Sequence, residues 1–181
     1  MASDQDLIDL CLAGERSAFD GLVRRYQDAL FRHLLRLAGS PEQAEDLCQE
    51  AFIKFYQALR NFRRGRAVAP LLFKIATNLW RDGRPSRFTV DPVDLEANPD
   101  QSRVADEALQ RLEHQAIAEA LQRLRPEYRE VLSLRYDQGL SYREIAEVTG
   151  VSAGTVATWL HRSLDALRAA LIHSDERELD K

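Results

Sequence analysis

Apolar residues recur at three- and four-residue steps through the first eighty positions, a period that predicts amphipathic helices. A short helix is expected over residues 4–13 and a longer one over 18–37. The apolar stripe of the longer helix consists of Phe19, Leu22, Val23, Tyr26, Leu30, Leu34 and Leu37. Ser40, Pro41 and Gln43 then predict a sharp helix start, with Ser40 as the N-cap and Gln43 closing a capping box.

The helix that follows Ser40 has one apolar face, which leaves Asp46, Gln49 and Glu50 on the opposite face. Beyond the loop 61–69, Pro70 is expected to open a fourth helix that ends near Gly83. The first half of the chain is therefore predicted to be a helical bundle.

The pattern breaks over residues 88–104, which hold two prolines and four acidic residues without a sustained apolar period. Such a segment is typical of a linker. Helical periodicity resumes near Ala105, and Pro126 starts a further helix. The predicted fold is all-α, with two small helical domains, 1–87 and 105–181, joined by a flexible acidic linker over 88–104.

The segment SYREIAEVTGVSAGTVATWL, residues 141–160, has the features of a helix-turn-helix. Ser141 and Glu144 form a capping box, and Gly150 supplies a left-handed turn. Ser152 is expected to cap the second helix, whose Val156 and Leu160 would dock on the first. A helical hairpin that binds no DNA would have the same caps and spacing, so both interpretations stay open at this point.

The outer face of that second helix is rich in small and hydroxyl side chains, which can contact phosphates, base edges and thymine methyl groups. It has no Lys or Arg before Arg162. Three roles stay open for Trp159: packing into the domain, which we favour, contacting DNA, or facing a protein partner. The candidate DNA-binding positions are Ser152, Ala153, Thr155, Ala157, Thr158 and Arg162.

Composition narrows the class of protein. The 181 residues carry a net charge of −4, so any nucleic-acid contact must come from a local patch. The sequence shows neither a signal peptide nor a membrane-spanning run, which predicts a cytoplasmic protein without membrane insertion. Cys11 and Cys48 are expected to be buried thiols. The four histidines are scattered, so no metal, cofactor or catalytic set is predicted.

One stretch departs from the acidic balance of the chain. Between residues 60 and 87, eight basic residues accompany a single acid, Asp82. A one-signed run interleaved with Phe62, Phe73 and Trp80 is typical of single-stranded nucleic-acid binding, although Phe62 and Phe73 would serve equally as core. The basic residues are Arg60, Arg63, Arg64, Arg66, Lys74, Arg81, Arg84 and Arg87.

Three segments in order, AEDLCQEAFIKFYQAL, FKIATNLWRD and the span from Leu121 to Arg168 that contains the helix-turn-helix, resemble the extracytoplasmic-function (ECF) group of bacterial sigma factors. The resemblance covers residues 18–171. It implies two helical domains without catalytic activity, which bind the RNA polymerase core, direct it to promoters and help to open the DNA.

The resemblance also implies roles for particular residues. Asp46, Gln49 and Glu50 would contact polymerase, and Asn78 would hydrogen-bond a flipped base of the minus-ten element. The full minus-ten set is Phe62, Arg63, Arg64, Arg66, Lys74, Asn78 and Arg81. The helix-turn-helix set given above would read the minus-thirty-five element in duplex DNA. The acidic linker would thread through polymerase or act as a solvated tether.

Two departures from the family pattern weaken parts of this assignment. Leu71 stands where the family commonly has Trp, and Ala157 and Trp159 stand where it often has basic residues. An anti-sigma partner is expected from the family. The main alternative is a stand-alone helix-turn-helix regulator with an N-terminal sensing domain; an adaptor or an enzyme has no supporting motif.

Overall fold

The computed structural model describes residues 2–83 and 116–179, with side chains described as far as residue 171. The first half contains α1 (Asp4–Leu12), α2 (Ser17–Ala38), α3 (Pro41–Ala58), a 3₁₀ turn (Leu59–Asn61) and α4 (Val68–Asp82). The second half contains α5 (residues 116–123), α6 (Pro126–Leu132), a π-helical turn (Ser133–Asp137), α7 (Tyr142–Thr149) and α8 (Ala153–Leu179). These described residues include no strand, and the all-α class is confirmed. The predicted linker, Arg84, Arg87 and the start of the second domain lie outside the described residues.

The helix ends follow local side-chain chemistry, with two differences from the prediction. The Ser40 hydroxyl accepts a hydrogen bond from the Gln43 backbone N–H at 3.4 Å, but only this half of the expected capping box forms. α4 begins at Val68 rather than at Pro70. Proline is tolerated throughout the first turn of a helix, where N–H groups have no intrahelical partner, so Pro70 does not have to be the first residue.

The core of the first half lies between α2, α3 and α4, which pack against one another. Its centre is formed by side chains with no measurable exposure, among them Leu22, Leu34, Phe55 and Leu72. The stripe predicted for α2 accounts for much of this core, because residues three and four apart share one face of a helix. In the described part of the chain, no helix has the length and apolar character needed to cross a membrane.

The two halves pack against each other. α4 lies against α7, and α2 lies against α6 and the π-helical turn. Leu34 and Trp80 of the first half belong to the same apolar cluster as Val131 and Ile145 of the second. This contact could not be predicted, because the periodicity of a sequence shows that a helix has an apolar face but not which helix covers that face.

The helix-turn-helix forms as predicted. Ser141 and Glu144 make a complete capping box, and Gly150 ends α7 in the left-handed conformation at φ 77°. The Ser152 hydroxyl accepts from the Thr155 backbone N–H at 3.1 Å and so caps α8. The side chains of Val156 and Leu160 are buried. The angle between α7 and α8 is thus set by two caps and one left-handed residue.

Replacement of Gly150 by alanine is expected to lower the free energy of unfolding by about 1–2 kcal/mol, because a β-carbon is strained in the left-handed region. No atom lies within 4 Å of the position that this β-carbon would take, so the cost comes from the backbone alone. Gly154→Ala is the matched control: a β-carbon there meets only the Ser152 Oγ at 3.7 Å, inside a helix. Urea unfolding should show the first variant destabilised and the control unchanged or stabilised by about 0.5–1 kcal/mol. Equal midpoints for the two variants would contradict this account.

Candidate nucleic-acid interface

A cleft of about 650 Å³ lies where the loop before α4 faces the helix-turn-helix. The first half contributes basic and apolar side chains, and α7 contributes Glu144 and Glu147. Four residues of the predicted minus-ten set share the lining of this cleft: Phe62, Arg63, Arg66 and Lys74. The structure therefore brings residues that are up to twelve positions apart to one basic surface, with carboxylates opposite.

The loop that carries the arginines is tied to α1. The Arg64 guanidinium hydrogen-bonds and forms an ion pair with Asp9, and the Gly65 backbone N–H donates to the Gln5 Oε1 at 3.0 Å. Gly65 has φ 84°, so the tip of the loop uses the conformational freedom of glycine. Arg64 remains largely exposed. These contacts hold the loop in place while leaving its cations open to solvent.

The exposed face of α4 borders this basic surface. Lys74 and Asn78, one helical turn apart, are both exposed, whereas Thr77 is buried. Phe73 and Trp80 are also buried, so the packing alternative holds for Phe73. Only Phe62 among the three aromatic residues of this stretch lies half-buried at the cleft. Of these three rings, Phe62 is therefore the one placed to stack against a base in this conformation.

Arg81 is turned toward the second half of the chain. Its Nη2 donates to both carboxylate oxygens of Glu130, at 3.0 and 2.8 Å, and its Nη1 donates to the Thr149 carbonyl oxygen at 3.1 Å. The Glu130 side chain is only 1% exposed, and burial raises the pKa of its carboxyl while the Arg81 charge opposes that rise. A charge this deeply buried needs a partner, which Arg81 supplies.

A buried histidine also joins the two halves. His33 Nδ1 lies 3.0 Å from the Ser133 Oγ, and Nε2 lies 3.3 Å from the Thr77 Oγ1. Its ring meets the Phe73 ring edge to face, with centroids 5.2 Å apart. Ser133 is the first residue of the π-helical turn, a geometry often found at functional positions. Burial, assisted by the Arg36 charge, lowers the pKa of His33 to about 3.

This depressed pKa makes stability depend on pH. The unfolded chain takes up a proton on His33 below about pH 6.5, but the folded chain does not until about pH 3, so stability is lost as the pH falls through this window. Between pH 7.5 and 5.5 the free energy of unfolding should fall by about 1.4 kcal/mol on this account. His33→Gln retains hydrogen-bonding groups and should remove that decrement in urea titrations. If the free energy of unfolding of the wild type and of His33→Gln changes equally with pH, the assignment of this pH dependence to His33 is refuted. The raised pKa of Glu130 has the opposite effect on stability, but it acts in both proteins and cancels in the comparison.

The outer face of α3 presents the residues predicted to contact polymerase. Asp46, Gln49 and Glu50 are all exposed, and Glu50 makes an i,i+4 ion pair with the Lys54 Nζ at 3.1 Å. Ile53, on the same face, is 58% exposed. An apolar side chain ringed by polar groups is typical of a protein-binding surface.

The start of α8 carries the residues predicted to read the minus-thirty-five element. Ala153, Thr158 and Arg162 are exposed, and Thr155 and Ala157 are half-buried. The hydroxyls of Ser152 and Thr155 lie 2.9 Å apart, and the Thr158 hydroxyl donates to the Gly154 carbonyl oxygen at 3.0 Å. Trp159 is half-buried and packs against the apolar core, so its ring has a structural role.

Sequence reasoning missed the polar contacts between the halves. Ser133 and His33 carry no signal in the sequence, because each finds its partner far away along the chain. The charge of Glu130 next to apolar Val131 and Leu132 was the one available hint, since a buried acid needs a cation. Both cysteines are free thiols: Cys48 is buried, as predicted, with burial raising its pKa to about 11, while Cys11 is only half-buried.

Comparisons with known proteins found matches for both halves of the chain. The family models Sigma-70 region 2 and Sigma-70, region 4 match residues 22–87 and 114–167. The chain is 34% identical to the RNA polymerase sigma-H factor of Pseudomonas aeruginosa, with 93% of each chain covered. It is 33% identical to the ECF RNA polymerase sigma factor SigW of Bacillus subtilis, with 87% of this chain and 91% of that one covered. Among solved structures, CnrH in complex with the cytosolic domain of CnrY aligns with a TM-score of 0.70 at 27% identity, covering 94% and 97% of the two chains.

These matches define a transcription-initiation factor of the sigma-70 family. Within that family, the chain belongs to the ECF sigma factors. Its function is to bind the RNA polymerase core, direct it to promoters and help to open promoter DNA. The alternative of a stand-alone regulator with a sensing domain gives way, because residues 22–87 match region 2 instead.

Proposed function

We propose that the two halves divide this work between them. Residues 1–87 bind the polymerase core and capture the minus-ten strand, and residues 105–181 read the minus-thirty-five duplex. The match of region 2 to the first half and of region 4 to the second supports the division. The chain adds no catalysis of its own and acts in the bacterial cytoplasm, where the polymerase is.

The polymerase contact is made by Asp46, Gln49 and Glu50. Their exposure on one face of α3 supports this role, since none is needed for the core. The exposed Ile53 among them supplies apolar area at the centre of the contact, where it gains most from desolvation.

The observation that carries the minus-ten assignment is the set of cations that line the cleft, with the exposed Asn78 one helical turn beyond Lys74 on α4. Arg63, Arg66 and Lys74 follow the strand backbone, and Phe62 offers a ring at the edge of the cleft. Asn78, exposed one turn beyond Lys74, hydrogen-bonds a base edge. Unpairing a base costs a few kcal/mol, which stacking and phosphate contacts of this kind offset. Arg64 and Arg81 complete the phosphate contacts.

The minus-thirty-five element is read by small groups at the start of α8. The hydroxyls of Ser152, Thr155 and Thr158 and the backbone N–H groups of the first turn bind phosphates, while Ala153 and Ala157 contact methyl groups. Arg162 is the first cation on this helix. Because this set lacks a bidentate guanine contact before Arg162, duplex affinity in isolation is expected to be low, and polymerase supplies the remainder.

The chain is also proposed to be held inactive by an anti-sigma partner. The CnrH structure supports this, because a protein of the same fold at 27% identity is seen bound to the cytosolic domain of CnrY.

Run-off transcription with purified core polymerase on a promoter library tests the assignment as a whole. Transcripts are expected from a subset of templates that share two sequence blocks. The proposed function is refuted if the protein is folded and free of inhibitor but supports no transcript from any template.

A further inference from the structure

The loop over residues 63–67, which carries three of the proposed strand-binding arginines, gains little support from burial. All five of its residues are exposed. Arg66 and Ala67 line two cavities, one of about 650 Å³ toward α4 and one of about 620 Å³ toward α1 and α2. Inside the loop, the Arg66 backbone N–H donates to the Arg63 carbonyl oxygen at 3.2 Å. Segments with few buried contacts open at low cost in free energy, so contacts from outside the loop have to set its conformation.

A ring of hydrogen bonds ties the tip of this loop to α1. The Gln5 side-chain amide uses both of its ends: Oε1 accepts from the Gly65 backbone N–H at 3.0 Å, and Nε2 donates to the Asp9 Oδ1 at 3.2 Å. The other carboxylate oxygen of Asp9 accepts from the Arg64 Nη2. Because Arg64 and Gly65 are adjacent in the chain, the backbone between them closes the ring. Gln5 and Asp9 can share it because residues four apart lie on one face of a helix.

The ring fits the two side chains of α1 in one arrangement only. A rotated Gln5 amide would set its NH₂ group against the Gly65 N–H and its oxygen against the Asp9 carboxylate, so both contacts would become repulsive. Asp9 faces a donor on each side, and a carboxylate offers an acceptor to both. An amide and a carboxylate are therefore the groups that this loop conformation requires.

α1 is packed firmly enough to serve as a base for the loop. Ile8 is 1% exposed in the core of the first half. A β-carbon placed on Gly21 of α2 would come within 3.1 Å of Leu7, which shows how closely the two helices approach. The Asp4 carboxylate also accepts a hydrogen bond from the Tyr26 hydroxyl of α2. The position of the loop is thus set by a helix that is anchored in the bundle.

The charge of Asp9 does not by itself favour DNA binding. The carboxylate lies beside arginines that are proposed to meet strand phosphates, and it lowers the positive potential there. The Arg64 guanidinium has five N–H donors, so donors that Asp9 does not use can still meet a phosphate. What Asp9 contributes is the placement of Arg64, and with it the placement of Arg63 and Arg66 on either side.

We propose that Gln5 and Asp9 are positioning residues for strand capture, which order the loop before DNA arrives although neither touches the strand. This inference rests on the proposed minus-ten role of the loop. An ordered loop binds more tightly than a free one, because the cost of ordering it is not subtracted from the free energy of binding. α1 thereby contributes to promoter opening, although Gln5 and Asp9 lie outside all three proposed contact sets.

Gln5→Ala and Asp9→Asn test this proposal, singly and together. The first removes the amide without a change of charge, and the second leaves a side chain of the same shape that offers one acceptor where the ring needs two. Gln27→Ala and Asp28→Asn make the same changes at exposed positions on α2 and are the matched controls. Anisotropy measures how tightly the complex of the full chain with core polymerase binds a fluorescent single-stranded oligonucleotide. The oligonucleotide is taken from a promoter that the wild type transcribes, and the salt concentration is varied.

Each single variant is expected to bind the oligonucleotide about five- to ten-fold more weakly, with both controls unchanged. The slope of log affinity against log salt concentration should keep its wild-type value, whereas loss of a phosphate contact in Lys74→Ala should make it shallower by about 0.7. The double variant should bind within about two-fold of the weaker single variant, because both changes break the same ring. Electrostatics alone predicts the opposite result for Asp9→Asn, since removal of a negative charge would tighten binding.

Three results would overturn the proposal: binding that is unchanged or tighter in either single variant, a weaker binding with a shallower salt slope, or effects that multiply in the double variant. Hydrogen exchange of the Gly65 amide in the free full chain tests the ring without DNA. It should be faster in Gln5→Ala than in the wild type, and equal rates would also overturn the proposal. A wild-type complex that binds no oligonucleotide would refute the proposed minus-ten role itself. A wild-type complex that binds it only as tightly as Gln5→Ala does would keep that role and discard the positioning.

Discussion

Reversing two charges on the outer face of α3, Asp46→Lys with Glu50→Lys, is expected to weaken binding of the RNA polymerase core by about 100-fold, since central contact residues often contribute about 1–2 kcal/mol each. Like charges brought against a complementary surface add to that loss. Both side chains are exposed, so the core of the bundle is untouched. The loss of the Glu50–Lys54 pair costs the fold only about 0.5 kcal/mol or less.

The measurement is the equilibrium affinity for purified core polymerase, together with thermal unfolding of each variant. Asp28→Lys, which reverses an exposed charge on α2 outside the proposed surface, serves as the control and should bind as the wild type does. If the double variant binds as tightly as the control does, the outer face of α3 is not the polymerase contact.

Asn78→Ala is expected to reduce open-complex formation by roughly 10- to 100-fold, because a good pair of hydrogen bonds to a base edge contributes about 1–3 kcal/mol. Asn78 is exposed on α4 while its neighbours Thr77 and Leu79 are buried, so truncation removes an amide from the surface without leaving a cavity. Core binding should not change, because the proposed polymerase contact lies on α3.

Stopped-flow detection of promoter opening, with core binding measured in parallel, separates the two steps. Gln27→Ala, the same loss of an exposed amide on α2, provides the control. Parallel loss of opening and core binding would place Asn78 in a different role, and normal opening would remove it from base recognition.

Local chemistry made much of this fold predictable. The caps at Ser141 and Ser152 and the left-handed Gly150 each depend on residues within four positions, and all three appear as expected. The apolar stripe of α2 could be predicted because the period of a helix places residues three and four apart on one face. The start of α4 was misplaced because proline is compatible with several positions of a first turn.

What could not be predicted depends on contacts between distant positions. Arg81 was correctly recognised as part of a basic run, but its pairing with Glu130 requires α4 and α6 to meet, and no local pattern encodes that meeting. His33 likewise depends on Ser133, a hundred residues away. Of the three roles open to Trp159, the structure supports packing, because the ring lies against the core. The residues next to Trp159 in the sequence carry no information that would have decided this.

The central claim is that this chain brings core polymerase to a promoter and that its first half then holds the minus-ten strand unpaired. Permanganate reactivity of the thymines around that element tests the claim most directly, with core polymerase alone, with the chain alone and with both. The account predicts reactive thymines confined to the minus-ten region only when both are present, and their loss with Asn78→Ala. Thymines that stay unreactive with the complete, core-bound wild-type chain would contradict it.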